Sequence, residues 1–226
     1  MIKRSRLPRL LTSFLALSAL LALPTQQSAA ASFELVLPQS APEDRYDGRL
    51  ILIIAANADK EPRDQVNADF DAAQVFGINV DAWRRGETAR IDGQVLGFPA
   101  ESLDAVPAGD YWVQAVLHKY DSFNLANGKT VKLPAARGAG QNWRKEPGNL
   151  FSEPMKLSFD PSDSTVTRIE LSEVNPAIDE PEDTTYIRHL KLRSELLSEF
   201  WGTDVYLRAH VLVPHGFDDH PDARFP

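Results

Sequence analysis

The residues of this chain that could do chemistry are serines, histidines and aspartates, and their spacing matches no known catalytic motif. A strained serine nucleophile occupies a Gly-x-Ser-x-Gly turn, and that pattern does not occur in the sequence. Cysteine is absent, which excludes thiol catalysis, cysteine-ligated zinc and iron–sulfur centres. We therefore assign no catalytic residue to these 226 residues.

Four of the five histidines follow residue 188. His215 and His220 flank Asp218 and Asp219, and imidazole and carboxylate groups can both ligate a metal. The segment lacks a second histidine pair at helical spacing, so a solvated loop is the simpler interpretation. The acidic clusters at 59–64, 160–163 and 179–183 lack calcium-loop spacing and are interpreted as turns or a linker. We predict no metal site and no cofactor.

Trp143 and Arg144 are the candidate ligand-binding residues. They lie in the glycine-rich segment 138–148, where an aromatic face adjoins hydrogen-bonding groups, as a sugar or aryl ligand requires. The alternative is that Trp143 anchors this long loop on a neighbouring domain. Trp201 is expected to be a buried connection. His118, on a predicted strand, is expected to be a packing residue with satisfied hydrogen bonds.

The elements that must position these side chains are predicted to be strands. Residues 48–56 are almost wholly apolar and indicate a buried strand, whereas 33–38 ends at Pro38 and indicates an opening edge strand. Residues 106–120 form the clearest strand, because Tyr111, Val113, Ala115 and Leu117 alternate onto one face.

Other short segments continue this β-rich pattern. Strands are predicted at 74–80, 89–98 and 129–134, and residues 155–171 are predicted to form a hairpin around the turn 160–164. Residues 176–185 contain two prolines and four acidic residues, and they are interpreted as an inter-domain linker. Strands are also predicted at 189–194 and 206–213, with a compact apolar patch at 196–201 between them.

The first 31 residues have the pattern of a secretory signal peptide. Four basic residues precede the apolar segment 10–23, and Ala29-Ala30-Ala31 ends the region. A helix that spans a membrane needs about 20 apolar residues, and this apolar segment is shorter. We predict cleavage after Ala31 and a secreted or periplasmic bacterial protein that has no membrane contact after cleavage.

Cleavage there would remove four of the 24 basic residues and none of the 32 acidic ones, so the net charge would become −12. Binding to nucleic acid depends on neutralising phosphates with lysine and arginine, and this chain has no basic stripe. No nucleic-acid partner is therefore predicted. A basic amphipathic helix of the kind that binds membrane surfaces is also missing.

Residues 106–120 resemble the late strand of immunoglobulin-like and fibronectin-like sandwiches, in which a tyrosine near the strand start ties down the preceding corner. Together with the regular strand spacing, the resemblance implies an immunoglobulin-like β-sandwich over residues 33–175.

The C-terminal residues resemble a signature of secreted α/β-hydrolase esterases, the group that includes enterochelin and feruloyl esterases. The matching residues are Leu212-x-Pro214-x-Gly216-Phe217-Asp218, followed by Arg224-Phe225-Pro226. The resemblance implies that 186–226 are the first antiparallel strands of an incomplete α/β-hydrolase domain.

In that family the oxyanion turn, the serine nucleophile, the acid and the histidine follow this point in the chain. The expected function is the non-catalytic N-terminal portion of a serine esterase for small-molecule or polysaccharide esters, with the sandwich shaping substrate access or a partner surface. The alternative is a secreted β-sandwich that binds carbohydrate or mediates adhesion without catalysis.

Overall fold

The computed structural model of the protein describes residues 30–140 and 142–224. Strands contain 42% of the residues and helices contain 9%, so the predicted mainly β class is confirmed. The strands of the described residues are β1 (Ser32–Val36), β2 (Arg45–Ala55), β3 (Gln74–Arg84), β4 (Thr88–Ile91), β5 (Gly97–Phe98), β6 (Gly109–Asn124), β7 (Thr130–Leu133), β8 (Leu150–Phe151), β9 (Met155–Phe159), β10 (Val166–Glu170), β11 (Glu173–Val174), β12 (Ile187–Arg193) and β13 (Tyr206–Leu212). The α-helix is α1 (Glu195–Trp201), and 3₁₀ turns cover Pro62–Gln65, Leu103–Ala105 and Phe217–Asp219.

The larger sheet is antiparallel and has the order β11-β8-β6-β2-β3-β5, with β7 and β9 also paired to β6. Because β6 is 16 residues long, it pairs with three strands besides β2, namely β7, β8 and β9, at different positions along its length. The strands predicted at 48–56, 74–80 and 106–120 are confirmed as β2, β3 and β6, with shifted ends.

A smaller sheet has the order β10-β1-β4, with β1 parallel to β10 and antiparallel to β4. The prediction that 33–38 is an edge strand is therefore wrong, because β1 pairs on both sides. Phe33 and Leu35 of β1 pack with Leu52 and Leu117 of the larger sheet in one buried cluster. The two sheets thus share a hydrophobic core, and we call residues 30–175 the two-sheet body.

Burial on both faces of β2 explains its continuous apolar sequence. Leu50, Leu52 and Ile54 face the core between the sheets. Ile51 and Ile53 lie on the opposite face, where Val66, Trp143 and Phe151 pack against them in a second buried cluster. A strand covered on both sides needs apolar residues at every position, which is the pattern that predicted it.

Two predicted connections are wrong. β9 pairs with β6 in the larger sheet and β10 pairs with β1 in the smaller one, so residues 155–171 cross between sheets and do not form a hairpin. The segment 89–98 is also divided, because β4 joins the smaller sheet and β5 pairs with β3. Alternation along a strand shows which side chains are buried and does not show which strand is the neighbour.

The C-terminal segment forms a separate two-stranded antiparallel sheet from β12 and β13. Ile187 pairs with Leu212 at one end of this sheet, and Arg193 pairs with Tyr206 at the other. The predicted strands at 189–194 and 206–213 are therefore confirmed. The apolar patch at 196–201 is helical and belongs to α1. We call residues 187–212 the C-terminal hairpin.

Residues 176–184, in the segment interpreted as a linker, contain no strand or helix and are exposed. The division into two domains stays a prediction. Most of the predicted signal peptide lies outside the described residues. Of its last residues, Ala31 is buried, and its amide donates to the Pro161 carbonyl at 3.3 Å.

Candidate functional site

A cleft of about 760 Å³ lies between the two-sheet body and the C-terminal hairpin. This volume falls within the range of about 300–1,000 Å³ that is typical of ligand sites. Asp121, Phe123 and the segment 133–138 form one wall, and Trp201, the segment 203–206 and Arg208 form the other. The cleft therefore joins the two regions that the sequence assigns to different domains.

The helix that carries Trp201 is fixed at both ends by local chemistry. Ser194 caps its start, because the Ser194 hydroxyl accepts a hydrogen bond from the Leu197 amide at 3.3 Å. Gly202 ends it in the left-handed conformation, with φ of 66°. A Cβ atom at Gly202 would lie 2.2 Å from the Asn124 carbonyl oxygen, so only glycine permits this approach to β6.

The end of α1 is also bonded to the two-sheet body. The Ala126 amide, in the turn after β6, donates to the Phe200 carbonyl at 3.1 Å. A backbone hydrogen bond therefore joins the two walls of the cleft in addition to the side-chain contacts.

Aromatic side chains line the junction. The Trp201 ring contacts Phe123 edge to face, with centroids 5.7 Å apart and planes at 72°. It also contacts Phe200 at 5.2 Å and 86°. Trp201 is partly exposed and lines the cleft, so the expectation that it is a buried connection is wrong.

The charged groups of the cleft are arranged in pairs. Arg137 lies 2.6 Å from Asp121, Asp204 lies 2.7 Å from Arg193, and Arg208 lies 3.5 Å from Glu180. The carboxylates of Glu195 and Asp204 raise the pKa of Arg193 above its usual value. Since each charge has an opposite neighbour, the cleft offers hydrogen-bonding groups with little net charge.

Trp143 and Arg144 lie away from this cleft, on the outer face of the larger sheet. Trp143 packs against the cluster of Ile51, Ile53 and Val116. The Arg144 guanidinium donates to the Val66 carbonyl at 2.7 Å and lies 5.5 Å from the Trp143 ring centroid. Trp143 thus anchors its own loop on the two-sheet body. The ligand-binding role of the two residues stays a prediction.

A buried polar network, which no local sequence pattern indicates, holds the same loop. The side-chain nitrogen of Asn175, Nδ2, donates to the backbone carbonyls of Arg144 (3.0 Å) and Glu146 (3.1 Å). Its side-chain oxygen accepts from Arg63 at 3.2 Å. Gln114, fully buried on β6, accepts from the Arg63 amide at 3.0 Å. These contacts cross up to 112 positions of sequence, so no local pattern could predict them.

The expectation that the hydrogen bonds of His118 are satisfied is wrong. Its Nε2 atom is buried and makes no hydrogen bond to any residue that the structure describes. Its ring contacts Tyr120 edge to face at 5.6 Å. Burial lowers the pKa of His118, and the nearby positive charge of Arg137 lowers it further.

The His215–His220 segment forms a turn in which Arg188 pairs with Asp218 at 2.5 Å. Among residues 30–140 and 142–224, no group of three histidine, aspartate or glutamate side chains has an arrangement that could hold a metal ion. The described helices also include none that is long and apolar enough to cross a bilayer.

No protein-family model, no curated protein and no solved structure matches this chain.

Proposed function

We propose that this chain is the non-catalytic N-terminal part of an exported carboxylic-ester hydrolase. In this proposal the two-sheet body is an immunoglobulin-like sandwich that shapes substrate access, and the C-terminal hairpin begins the α/β-hydrolase sheet. The serine nucleophile, its base and the oxyanion donors belong to a part of the polypeptide that follows Pro226.

The observation that carries the proposal is an uncovered apolar face on the C-terminal hairpin. Opposite residues of an antiparallel pair lie on one face, and alternate pairs share that face. Leu190 pairs with Ala209, and Leu192 pairs with Leu207. The exposed fractions are 45% for Leu190, 61% for Leu192 and 55% for Leu207.

The exposed face and the unpaired edges of this sheet support the proposal that it belongs to a larger sheet. Two strands alone are marginal in water, and unpaired edges attract further strands. Neither outer edge of the β12–β13 pair is bonded to another strand within the described residues. Helices and strands of a hydrolase domain would cover both this face and these edges, as in the family whose signature the residues 212–218 resemble.

A contact in the two-sheet body supports the sandwich part of the proposal. The Tyr111 hydroxyl, near the start of β6, donates to the Pro107 carbonyl at 2.9 Å. Immunoglobulin-like domains have this tyrosine corner at the equivalent place. The cleft between the body and the hairpin supports a role in access, because it would lie beside the domain that performs the reaction.

A fluorophosphonate reagent tests the proposal by labelling an activated serine. The native polypeptide, purified from its source, is expected to be labelled at a serine outside residues 30–224 and to hydrolyse p-nitrophenyl acetate. The 226-residue chain is expected to hydrolyse this ester no faster than its heat-denatured control. A native polypeptide that is neither labelled nor active would contradict the proposal and favour the non-catalytic binding module.

A further inference from the structure

We propose that the cleft between the two-sheet body and the C-terminal hairpin binds a neutral saccharide, with Trp201 as the stacking platform and Arg137 as a hydrogen-bond donor. The inference goes beyond the proposed function, because binding in this cleft does not require that the polypeptide hydrolyse esters.

The first argument is the orientation of Trp201. The perpendicular contacts with Phe123 and Phe200 fix the plane of its ring, and Tyr206 adds a second aromatic side chain to the same wall. Aromatic rings in a cleft contact the C–H groups of a pyranose ring while polar groups bind its hydroxyls. Because the ring is already held, little conformational entropy is lost when a ligand binds.

The second argument is the state of Arg137. Its backbone amide donates to the buried Glu146 carboxylate, and its guanidinium is held beside Asp121 at 2.6 Å. Nη1 is buried and makes no hydrogen bond to any described residue. A guanidinium has five N–H donors, and the Arg137 side chain lines the cleft with 23% of its surface exposed, so a rotation of the side chain would bring an unpaired donor to a ligand hydroxyl.

The third argument is the charge balance, which decides between classes of saccharide. Asp121, Asp204 and Glu180 each have an arginine partner. An acidic sugar would meet these carboxylates, and an amino sugar would meet the arginines. A neutral saccharide can accept from the arginines and donate to the carboxylates without displacing either charge.

Isothermal titration calorimetry of the full chain with cellohexaose, xylohexaose and mannohexaose tests the proposal, with hexagalacturonate as the acidic comparison. At least one neutral hexasaccharide is expected to bind. Trp201→Ala is expected to weaken that binding about tenfold, which corresponds to about 1.4 kcal/mol. Phe70→Ala, which alters a fully exposed aromatic side chain that does not line the cleft, is expected to bind like the unaltered chain.

Two further variants keep the test decisive if Trp201→Ala disturbs α1. Arg137→Gln changes the opposite wall, and Tyr206→Ala changes the hairpin outside the helix; each is expected to weaken the same binding. Unchanged affinity in both would overturn the proposal, as would failure of every neutral hexasaccharide to bind. Loss of binding in Trp143→Ala alone would place the site on the outer face of the larger sheet, and binding of hexagalacturonate alone would refute the charge argument.

Discussion

At the scale of single residues, two polar side chains of the larger sheet differ in their hydrogen bonding. His118 and Gln114 lie on the same strand, β6, and both side chains face away from the core between the sheets. Gln114 is satisfied by Arg63 and Ser152 from other parts of the chain, at 3.0 and 2.9 Å. Nε2 of His118 has no such partner in the described part of the chain. The difference depends on which loops cover each position.

His118 should therefore make stability depend on pH. Its folded-state pKa is below the value of 6.5 that it has when unfolded, so the unfolded chain binds the proton more tightly. The stability that the neutral imidazole provides is present above about pH 6.5 and is lost as the pH falls below that value. In His118→Gln, the free energy of unfolding in urea should fall less between about pH 7.5 and 5.5.

His220→Gln is the control, because His220 is exposed in the C-terminal turn and should leave the slope unchanged. An equal slope in His118→Gln and the unaltered chain would contradict the prediction.

At the scale of elements, the C-terminal hairpin is positioned by the end of α1. The Ser194 cap and the left-handed Gly202 define the helix, and the close approach of Gly202 to Asn124 sets its distance from β6. Seven residues form only about two turns, and isolated helices of this length are unstable in water. The helix therefore depends on its contacts with the two-sheet body.

Gly202→Ala should destabilise this junction more than Gly128→Ala does. Both glycines have left-handed backbones, with φ of 66° and 80°, so alanine costs about 1–2 kcal/mol at either position. At Gly202 the new methyl group also collides with the Asn124 carbonyl, whereas at Gly128 nothing lies within 4 Å. Amide hydrogen exchange should accelerate across residues 195–212 in Gly202→Ala only. Equal exchange in the two variants would show that the contact does not hold the hairpin.

At the scale of the whole molecule, the question is where the two-sheet body ends. Asn175 is buried, and its side chain bonds to Arg63 and to two carbonyls of the loop that contains Trp143. The following residues, 176–184, are exposed. The body should therefore be complete at Asn175 and should not need the C-terminal hairpin.

A chain shortened to end at Glu180 is expected to unfold cooperatively and to keep the amide protection of residues 32–174. A chain that ends at Val174 is the matched comparison, because it lacks Asn175 and leaves its buried partners unsatisfied. We expect it to be less stable by about 1–3 kcal/mol in urea denaturation. If the chain ending at Glu180 is itself unfolded, the hairpin belongs to the same cooperative unit and the two-domain division is wrong.

Local patterns in the sequence determined the mainly β class, the central strands β2, β3 and β6, and the two strands of the C-terminal hairpin. A strand that is buried on one face alternates apolar and polar side chains, and one that is buried on both faces is continuously apolar. Both patterns can be recognised in the sequence. The hydrogen bond from the Tyr111 hydroxyl to the Pro107 carbonyl is also local, because the two residues are only four positions apart.

Only the tertiary structure decided the strand neighbours and the site. The sequence pointed to Trp143 as a ligand platform or an anchor and to Trp201 as a buried connection, yet Trp143 packs on the larger sheet and Trp201 lines the cleft. Each is an aromatic residue in a connecting segment, and the difference arises from which distant surface the segment meets. Phe123 and Trp201 become neighbours because β6 and α1 are held together across 78 positions of sequence, a separation that no periodicity records.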